Sequence, residues 1–387
     1  MFIHRNVFYI SDPQSPVRGI SANKIPQTAL ERLDSLHFSG KNKVKKPLNL
    51  GIIVGNIQEI ERADIHRLKA VAESRGHQVT VLPVEDCQAV LQDKKALLLK
   101  QGKPIQNLDI VIPRLGSVSD LKKLSQAELL LGQCRAAGFP VLEKSPHGVS
   151  TAINKFRAHQ VFIKEGIPTL NSAFSPNLLE HSEIINQIAK DKEIVVKLIN
   201  GSVGTAVFRS SLEKLRLLFA KLSKQTPPTM VQEFIPEANG TDLRCFVAGD
   251  RVIAVGRRQA KAGDWKANVT TGATASKVTD LAKPLQDMAI TALKAVGLAY
   301  GGVDIIHSKN GPAVLEINAS PTILDMENVL GVSIAPELIK YVEHFVEGFQ
   351  TQKTTAQGQE AASSKLSSIG VPKIPSFTSE VDKKLQL

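Results

Sequence analysis

Residues 301–321 read GGVDIIHSKNGPAVLEINASP, two runs of aliphatic residues broken by Asn310-Gly311. Asn-Gly is the strongest short signal for a two-residue hairpin, because both central positions of that turn need a positive φ. Folding about it sets Asp304 nearly opposite Glu316, and the two-residue period of a strand puts Asn318 on the same face as Glu316. Carboxylates that face each other across a ladder repel, so the arrangement persists only with a cation or a proton between them. All the donors are oxygens, which suits a hard cation, Mg2+ or Mn2+, with coordination positions left over for phosphate. Val303, Ile305, Val314, Leu315 and Ile317 in the same strands argue for burial, against an exposed hairpin whose polar face meets water.

A second anomaly lies upstream. Lys197 interrupts the apolar run IVVKLI, and Gly201, Ser202, Gly204 and Thr205 follow it. A lysine in such a strand normally lays its stem on apolar surface and carries its charge to water. Beside a Gly/Ser loop, whose amides can approach an anion closely, it is suited to phosphate.

Outward from these two points, helices and strands alternate. LNLGIIVGN (48–56), QVTVLPV, DIVIPR (109–114) and FPVLEK read as strands. Helical stretches separate them, one stopping at Arg75-Gly76 and one, SDLKKLSQAELLLGQCRAAG, at Gly138. This predicts a parallel sheet covered on both faces, an α/β domain over 48–144, with 85–108 left as a variable segment. The first strand lacks a following GxGxxG, and GxxxxGK[ST] is absent, which excludes the dinucleotide and P-loop classes. From Ser145 hairpins mix with helices in the α+β manner. A helix over 146–166 comes first, then TLNSAFS, NLLEHSEIINQIAK, EIVVKLI, SLEKLRLLFAKLSK, TMVQEFI, DLRCFVAG and RVIAVGRR as alternating or paired elements. The helix LAKPLQDMAITALKAVG places Leu281, Leu285, Met288, Ala292 and Val296 on one face. A last helix runs over 336–349.

The chain has 387 residues and a net charge of +11, long enough for two or three domains. No run nears the roughly 18 apolar residues of a membrane span, and the first residues meet Asp12-Pro13 too soon for a signal-peptide core. A cytoplasmic protein without membrane contact is expected. Cys87, Cys134 and Cys245 are widely spaced and lack CxxC, so neither disulfides nor zinc are indicated. The charge is largely terminal: residues 1–50 carry +5, 349–387 carry +2, and the long middle only +4. A basic leader over 1–47, densest at Lys41, Lys43, Lys45 and Lys46, is either an electrostatic handle for RNA, ribosome or acidic protein, or a solvated flexible segment. It lacks interleaved aromatics for base stacking, so nucleic acid is only weakly suggested. Residues 350–387 are too poor in large apolar groups to offset ordering entropy and are expected to be disordered.

Taken in order, KLINGSVGTAV, VQEFIPEANGTDLRCFVAGDRVIAVGRR, GDWKANVTTGA, GVDII and VLEINASP resemble the ATP-grasp ligases. More narrowly they resemble the RimK family of glutamate ligases, which modify a small-subunit ribosomal protein. RLKAVAESRGH, GKPIQNLDIVIPRLG and NKFRAHQVFIKEGIP extend the likeness to about residues 50–348. It implies an α/β N-terminal domain (48–144) followed by α+β ATP-grasp lobes, central over 145–228 and C-terminal, with the metal site, over 229–349. It implies ATP with two Mg2+ or Mn2+ ions, glutamate as amino-acid substrate, a ribosomal protein acceptor and a homo-oligomer.

Residue by residue, Lys155 and Lys197 match the lysines that meet ATP phosphates, with Gly201, Ser202 and Gly204 in the lid. Glu233 and Phe234 match the adenine hinge, Asp242 a nucleotide-binding acid, and Asp304, Glu316 and Asn318 the metal ligands. Asn268 matches a nucleotide-side asparagine. Lys266 stands where the family usually has arginine, keeping the charge but losing the bidentate fork. Thr322 replaces a frequent glycine, and NGSVGTA a lid richer in glycine and glutamine. The implied reaction phosphorylates a carboxylate and lets an amine attack the acyl phosphate. Arg258 is the candidate cation for the tetrahedral oxyanion, with Arg244 and Arg257 as anionic-substrate contacts, although surface solvation explains Arg257 better. Two other readings stay open: an ATP-grasp ligase acting on a small molecule or carrier protein, and a nucleotide-binding regulator without turnover.

Overall fold

The computed structural model describes residues 46–350 apart from 116–120, 177–181, 189–192, 201–206, 212–213, 215–227 and 270–271. Most of the basic leader, residues 201–206 with Gly201, Ser202 and Gly204, and the tail from 351 therefore lie outside the described residues.

Three apolar strands open the chain: β1 (Asn49–Val54), β2 (Gln78–Pro83) and, further on, β6 (Ile110–Arg114). They pair in parallel in the order β2-β1-β6, and α1 (Ala63–Ser74) links the first two. The fourth expected strand meets this sheet only at a parallel bridge between Val111 and Val141. The backbone amides of Lys144 and Ser145 instead bond to the carbonyl of Gly297, so the segment leaves the sheet for the second half of the molecule. The variable segment is not a loop. It forms an antiparallel meander of β3 (Cys87–Gln92), β4 (Lys95–Lys100) and β5 (Lys103–Pro104). The helix α2 (Leu121–Ala136) packs on it, and Gln133 donates to the carbonyls of Val90 and Leu97.

Two antiparallel sheets follow. One has the order β7-β10-β8-β9, from β7 (Ser172–Phe174), β8 (Glu193–Leu198), β9 (Val207–Ser211) and β10 (Thr229–Glu233). The other has the order β13-β12-β11-β14-β15, from β11 (Thr241–Ala248), β12 (Arg251–Gln259), β13 (Thr274–Lys277), β14 (Tyr300–Ser308) and β15 (Gly311–Asn318). The hairpin turns at Lys309-Asn310, one residue before the expected Asn-Gly pair, and Gly311 follows it at φ 104° as the first residue of β15. The helix expected over 146–166 is two, α3 (Gly148–Ile153) and α4 (Lys155–Lys164). Asn154 breaks it by accepting from the Arg157 amide as N-cap and bridging to Asn200. In the first antiparallel sheet, α5 (Ser182–Ile188) buries Ile185 and Ile188 with Val196 and Val231.

The helix α6 (Lys283–Ala295) covers the five-stranded sheet with the predicted face: Ala292, flanked by Leu281 and Val296, is buried, and Leu285 and Met288 pack against the same core. The short helix α7 (Leu324–Leu330) has too few turns to show a period in the sequence. Its Glu327 is buried, accepts Arg67 Nε at 2.8 Å, and takes the amides of Ile334 and Ala335, which open the last helix, over 334–350. Among the described residues no helix is long and apolar enough to cross a membrane.

Candidate active site

A cavity of about 400 Å3 separates the two antiparallel sheets. Lys155, Lys197, Glu233, Phe234, Asp242, Arg258, Lys266, Asn268, Asp304, Glu316 and Asn318 all line it, although they are scattered over more than 160 positions of sequence. Every sequence-predicted site residue that the structure describes, Arg257 apart, is thus in one place.

The five-stranded sheet supplies one wall. Its register sets Asp304 against Glu316 on one side and against Arg244 on the other, and sets Asp242 against Arg258. Arg258 forks onto Asp242 at 2.7 Å through Nε and Nη2, and its Nη2 also reaches Asp304 Oδ2 at 2.8 Å. Arg244 holds both oxygens of Asp304, Oδ2 at 2.8 Å. All four side chains are buried. Burial alone would lift the carboxyl of Asp304, but Arg244 and Arg258 outweigh it and hold it down at about 2. Burial likewise disfavours charge on Arg258, and Asp304 and Asp242 overcome it, holding the guanidinium above its ordinary value. Asp242 shares its arginine with Asp304, and burial raises its carboxyl.

This corrects one step of the sequence argument. The facing carboxylates do not depend on an ion between them, because two guanidiniums neutralise Asp304, one from the neighbouring β11 and one from β12 beyond it. Glu316 is half-buried and accepts from Asn318 Nδ2 at 3.3 Å. Among the described residues no group of three or more His, Cys, Asp and Glu side chains stands ready for an ion. Two carboxylates and an amide on one cavity wall nevertheless fit a hard divalent cation in donor chemistry, with Asp304 contributing once an arginine yields. As expected, Arg257 is exposed, the outward neighbour of buried Arg258 on β12.

The opposite wall carries Lys197 on β8. It does not snorkel: it is buried, and Nζ donates to Gln232 Oε1 at 2.6 Å. Burial pushes its pKa down to about 8, against an upward pull from Glu316. Lys155, half-buried, stands at the first position of α4 because the Asn154 cap starts the helix there. At the linker between the sheets Glu233 spends its carboxylate on Asn171, on its backbone amide at 2.8 Å and its side chain at 3.0 Å. Phe234 meets Trp265 edge to face at 5.8 Å, and Arg209 lies 4.0 Å from the Phe234 ring centroid. Leu170, Val195, Ile235, Ile306 and Leu315 make the adjoining lining apolar, a slot that suits a flat base. Asp264 accepts the amides of Trp265 and Lys266, a tight turn that brings both to the cavity.

Sequence reading missed Gln232, Trp265 and Arg62, which line the cavity, and His159 behind it. Two signals were available. Gln232 opposes Val195 on β8, the diagonal neighbour of Lys197 on one sheet face, and His159 lies one helical turn after Lys155.

Two sheets closing on a cavity after a parallel N-terminal domain define an ATP-grasp ligase. Solved structures agree in fold: the ATP-grasp ligase PsnB complexed with a phosphomimetic precursor variant, Mg and ADP (TM-score 0.57, 19% identity, 76% of this chain and 98% of that one), and the D-alanine-D-alanine ligase from Coxiella burnetii (0.58, 15%, 81% and 99%). The family is narrower. A RimK-like ATP-grasp domain model matches residues 152–342, and a RimK PreATP-grasp domain model matches 57–128. A protein of Xanthomonas euvesicatoria named "Probable alpha-L-glutamate ligase" is 35% identical over 288 residues, 72% of this chain and 93% of that protein. One of Legionella pneumophila with the same name is 33% identical over 279 residues, 72% and 90%. The chain belongs to the RimK-like ATP-grasp family of alpha-L-glutamate ligases.

Proposed function

We propose that this protein joins L-glutamate to the C-terminus of a small-subunit ribosomal protein, consuming ATP through an acyl phosphate. The observation that carries this reading is the convergence of Lys155 and Lys197 from one sheet with Asp304, Glu316 and Asn318 from the other on one cavity. The proposed division is a pre-ATP-grasp domain over 48–144, a central lobe over 145–228 and a C-terminal lobe over 229–349.

In this reading the apolar slot beside Phe234 and Trp265 takes adenine, with Glu233 holding the linker in shape through Asn171. Lys155, Lys197 and Lys266 neutralise the phosphates, and Asn268 and Asp242 complete the nucleotide side. Asp304, Glu316 and Asn318 would hold Mg2+, which supplies charge neutralisation at the transferred phosphoryl group. The acceptor carboxylate takes the γ-phosphoryl group, the glutamate amine attacks the resulting carbonyl, and phosphate leaves. Arg258 keeps Nη1 beyond its bonds to Asp242 and Asp304 as a donor toward the oxyanion. The lid with Gly201, Ser202 and Gly204 excludes water that would hydrolyse the acyl phosphate.

The test is purified protein with ATP, Mg2+, a panel of amino acids, and ribosomal proteins or small-molecule acceptors, read by ADP release and intact mass. Increments of a glutamyl residue on a ribosomal protein are expected. Increments confined to a small molecule would replace the acceptor, and ADP binding without any turnover would replace the activity.

A further inference from the structure

Lys197 reaches the cavity with only neutral groups behind it. Gln232 accepts from Lys197 through Oε1 and turns Nε2 toward two partners, Ser172 Oγ at 2.9 Å and His159 Nε2 at 3.2 Å. The Ser172 hydroxyl gives its proton to the carbonyl of Leu170 at 3.0 Å, so toward Gln232 it can only accept. Thr169 Oγ1 gives its proton to the carbonyl of Val314 at 2.9 Å and lies 2.5 Å from His159 Nδ1, so it can only accept there too. His159 therefore carries its proton on Nδ1 and offers the Nε2 lone pair to Gln232. Two independent anchors, each ending on a backbone carbonyl, fix the same orientation of the Gln232 amide. Neither leaves room for the flipped form, whose nitrogen would face the lysine.

From this geometry we infer that His159 and Gln232 are positioning residues for Lys197, a neutral relay of fixed direction that aims its ammonium while leaving its charge without a counter-ion. The inference rests on the proposed role of Lys197 at the phosphates. Among the described residues no carboxylate lies within ion-pair distance of Lys197. Burial pushes the His159 imidazole down to about 3, so the ring stays neutral wherever the enzyme works. A protonated ring would point N–H at N–H of Gln232 and turn the amide over. The far end of the relay is on β15 at Val314, two residues before Glu316, and Thr169 also bridges to Val314 there. The lysine of one sheet is thereby registered against the carboxylate strand of the other.

The test has two arms. In the wild-type protein, 15N chemical shifts of the His159 ring should show the Nδ1-protonated tautomer unchanged from about pH 5 to 9. The Nε2-protonated form, or titration near the usual histidine value, would overturn the relay. In the second arm ADP affinity is read from the fluorescence of Trp265, the chain's only tryptophan. His159→Leu should weaken it by up to about tenfold, the upper end of what one neutral hydrogen bond contributes. His159→Gln, which restores an acceptor near the place of Nε2, should recover most of the loss. Equal affinity in wild type and His159→Leu, or loss without recovery in a folded His159→Gln, would contradict the inference. A wild type that binds no ADP would sink the nucleotide reading instead, and the tautomer arm would still decide the relay.

Discussion

The two walls of the cavity handle charge in opposite ways. On the five-stranded sheet Arg244, Arg258, Asp242 and Asp304 are buried together and cross-paired, so their charges are fixed by one another. On the other sheet Lys197 is as deeply buried but meets an amide, and behind it a neutral imidazole and two hydroxyls. A closed ion cluster resists change in pH and serves as a frame until a ligand draws an arginine off Asp304. A buried lysine with neutral support is costly to charge, and its field points at whatever anion enters. The first wall holds geometry and the second offers binding free energy.

The contrast can be broken by substitution. Asp304→Asn and Glu316→Gln should each lower turnover about a thousandfold, because both remove an oxygen donor at the transferred charge. Only Asp304→Asn should also weaken the fold, by about 3–5 kcal/mol, since it strands Arg244 as a buried charge and leaves Arg258 to Asp242 alone. Thermal denaturation separates the two, and an equal midpoint for both would show that the cluster is not a frame. Lys197→Met should do the reverse, losing nucleotide affinity by tenfold or more while the melting temperature holds or rises, as the desolvated ammonium is gone.

The pH behaviour follows the same division. Lys197 titrates in the folded protein at about 8, below its ordinary value of 10.5. Between those two values the unfolded chain binds the extra proton, so this group makes folding more favourable as pH rises through that window. Wild type should therefore gain stability relative to Lys197→Met from about pH 8 to 10.5, so that the two denaturation curves draw together there and run parallel below it. Nucleotide affinity should decline from about pH 8 upward, and no decline before pH 10 would refute the buried, unpaired lysine. The smallest effect is on β12: Arg257→Ala should leave stability within about 0.5 kcal/mol, whereas Arg258→Ala, one residue on, dismantles the cluster.

Legibility in the sequence divided along similar lines. The Asp304–Glu316 pairing was legible only to within a residue: the hairpin turns at Lys309-Asn310, one place before the Asn-Gly pair, and a register shift between Asp304 and Ile305 brings Asp304 onto Glu316. The partners of Asp304 could not be read, since Arg244 arrives from β11 across a pairing of strands more than fifty residues apart in sequence, and Arg258 from β12, one strand further on, through a pairing whose register shifts at Phe246 and Val247. The meander over 87–104 was hidden because its first turn uses Asp93 and Lys94 at positive φ in place of the Asn-Gly that would announce it. The break at Asn154 was invisible to periodicity, because its cause is a cap and a bridge to Asn200 more than forty residues away. The residues that the family motifs single out, where the structure describes them, line the cavity. The polar support behind Lys197 escaped because no motif contains His159 and Gln232 together.

The central claim is that this cavity activates a carboxylate by phosphorylating it. With the acceptor found by glutamate-dependent mass increment, its C-terminal carboxylate labelled with 18O, one turnover should move one 18O atom into inorganic phosphate for each ADP and each glutamate joined. Unlabelled phosphate, or 18O recovered in AMP, would contradict the account.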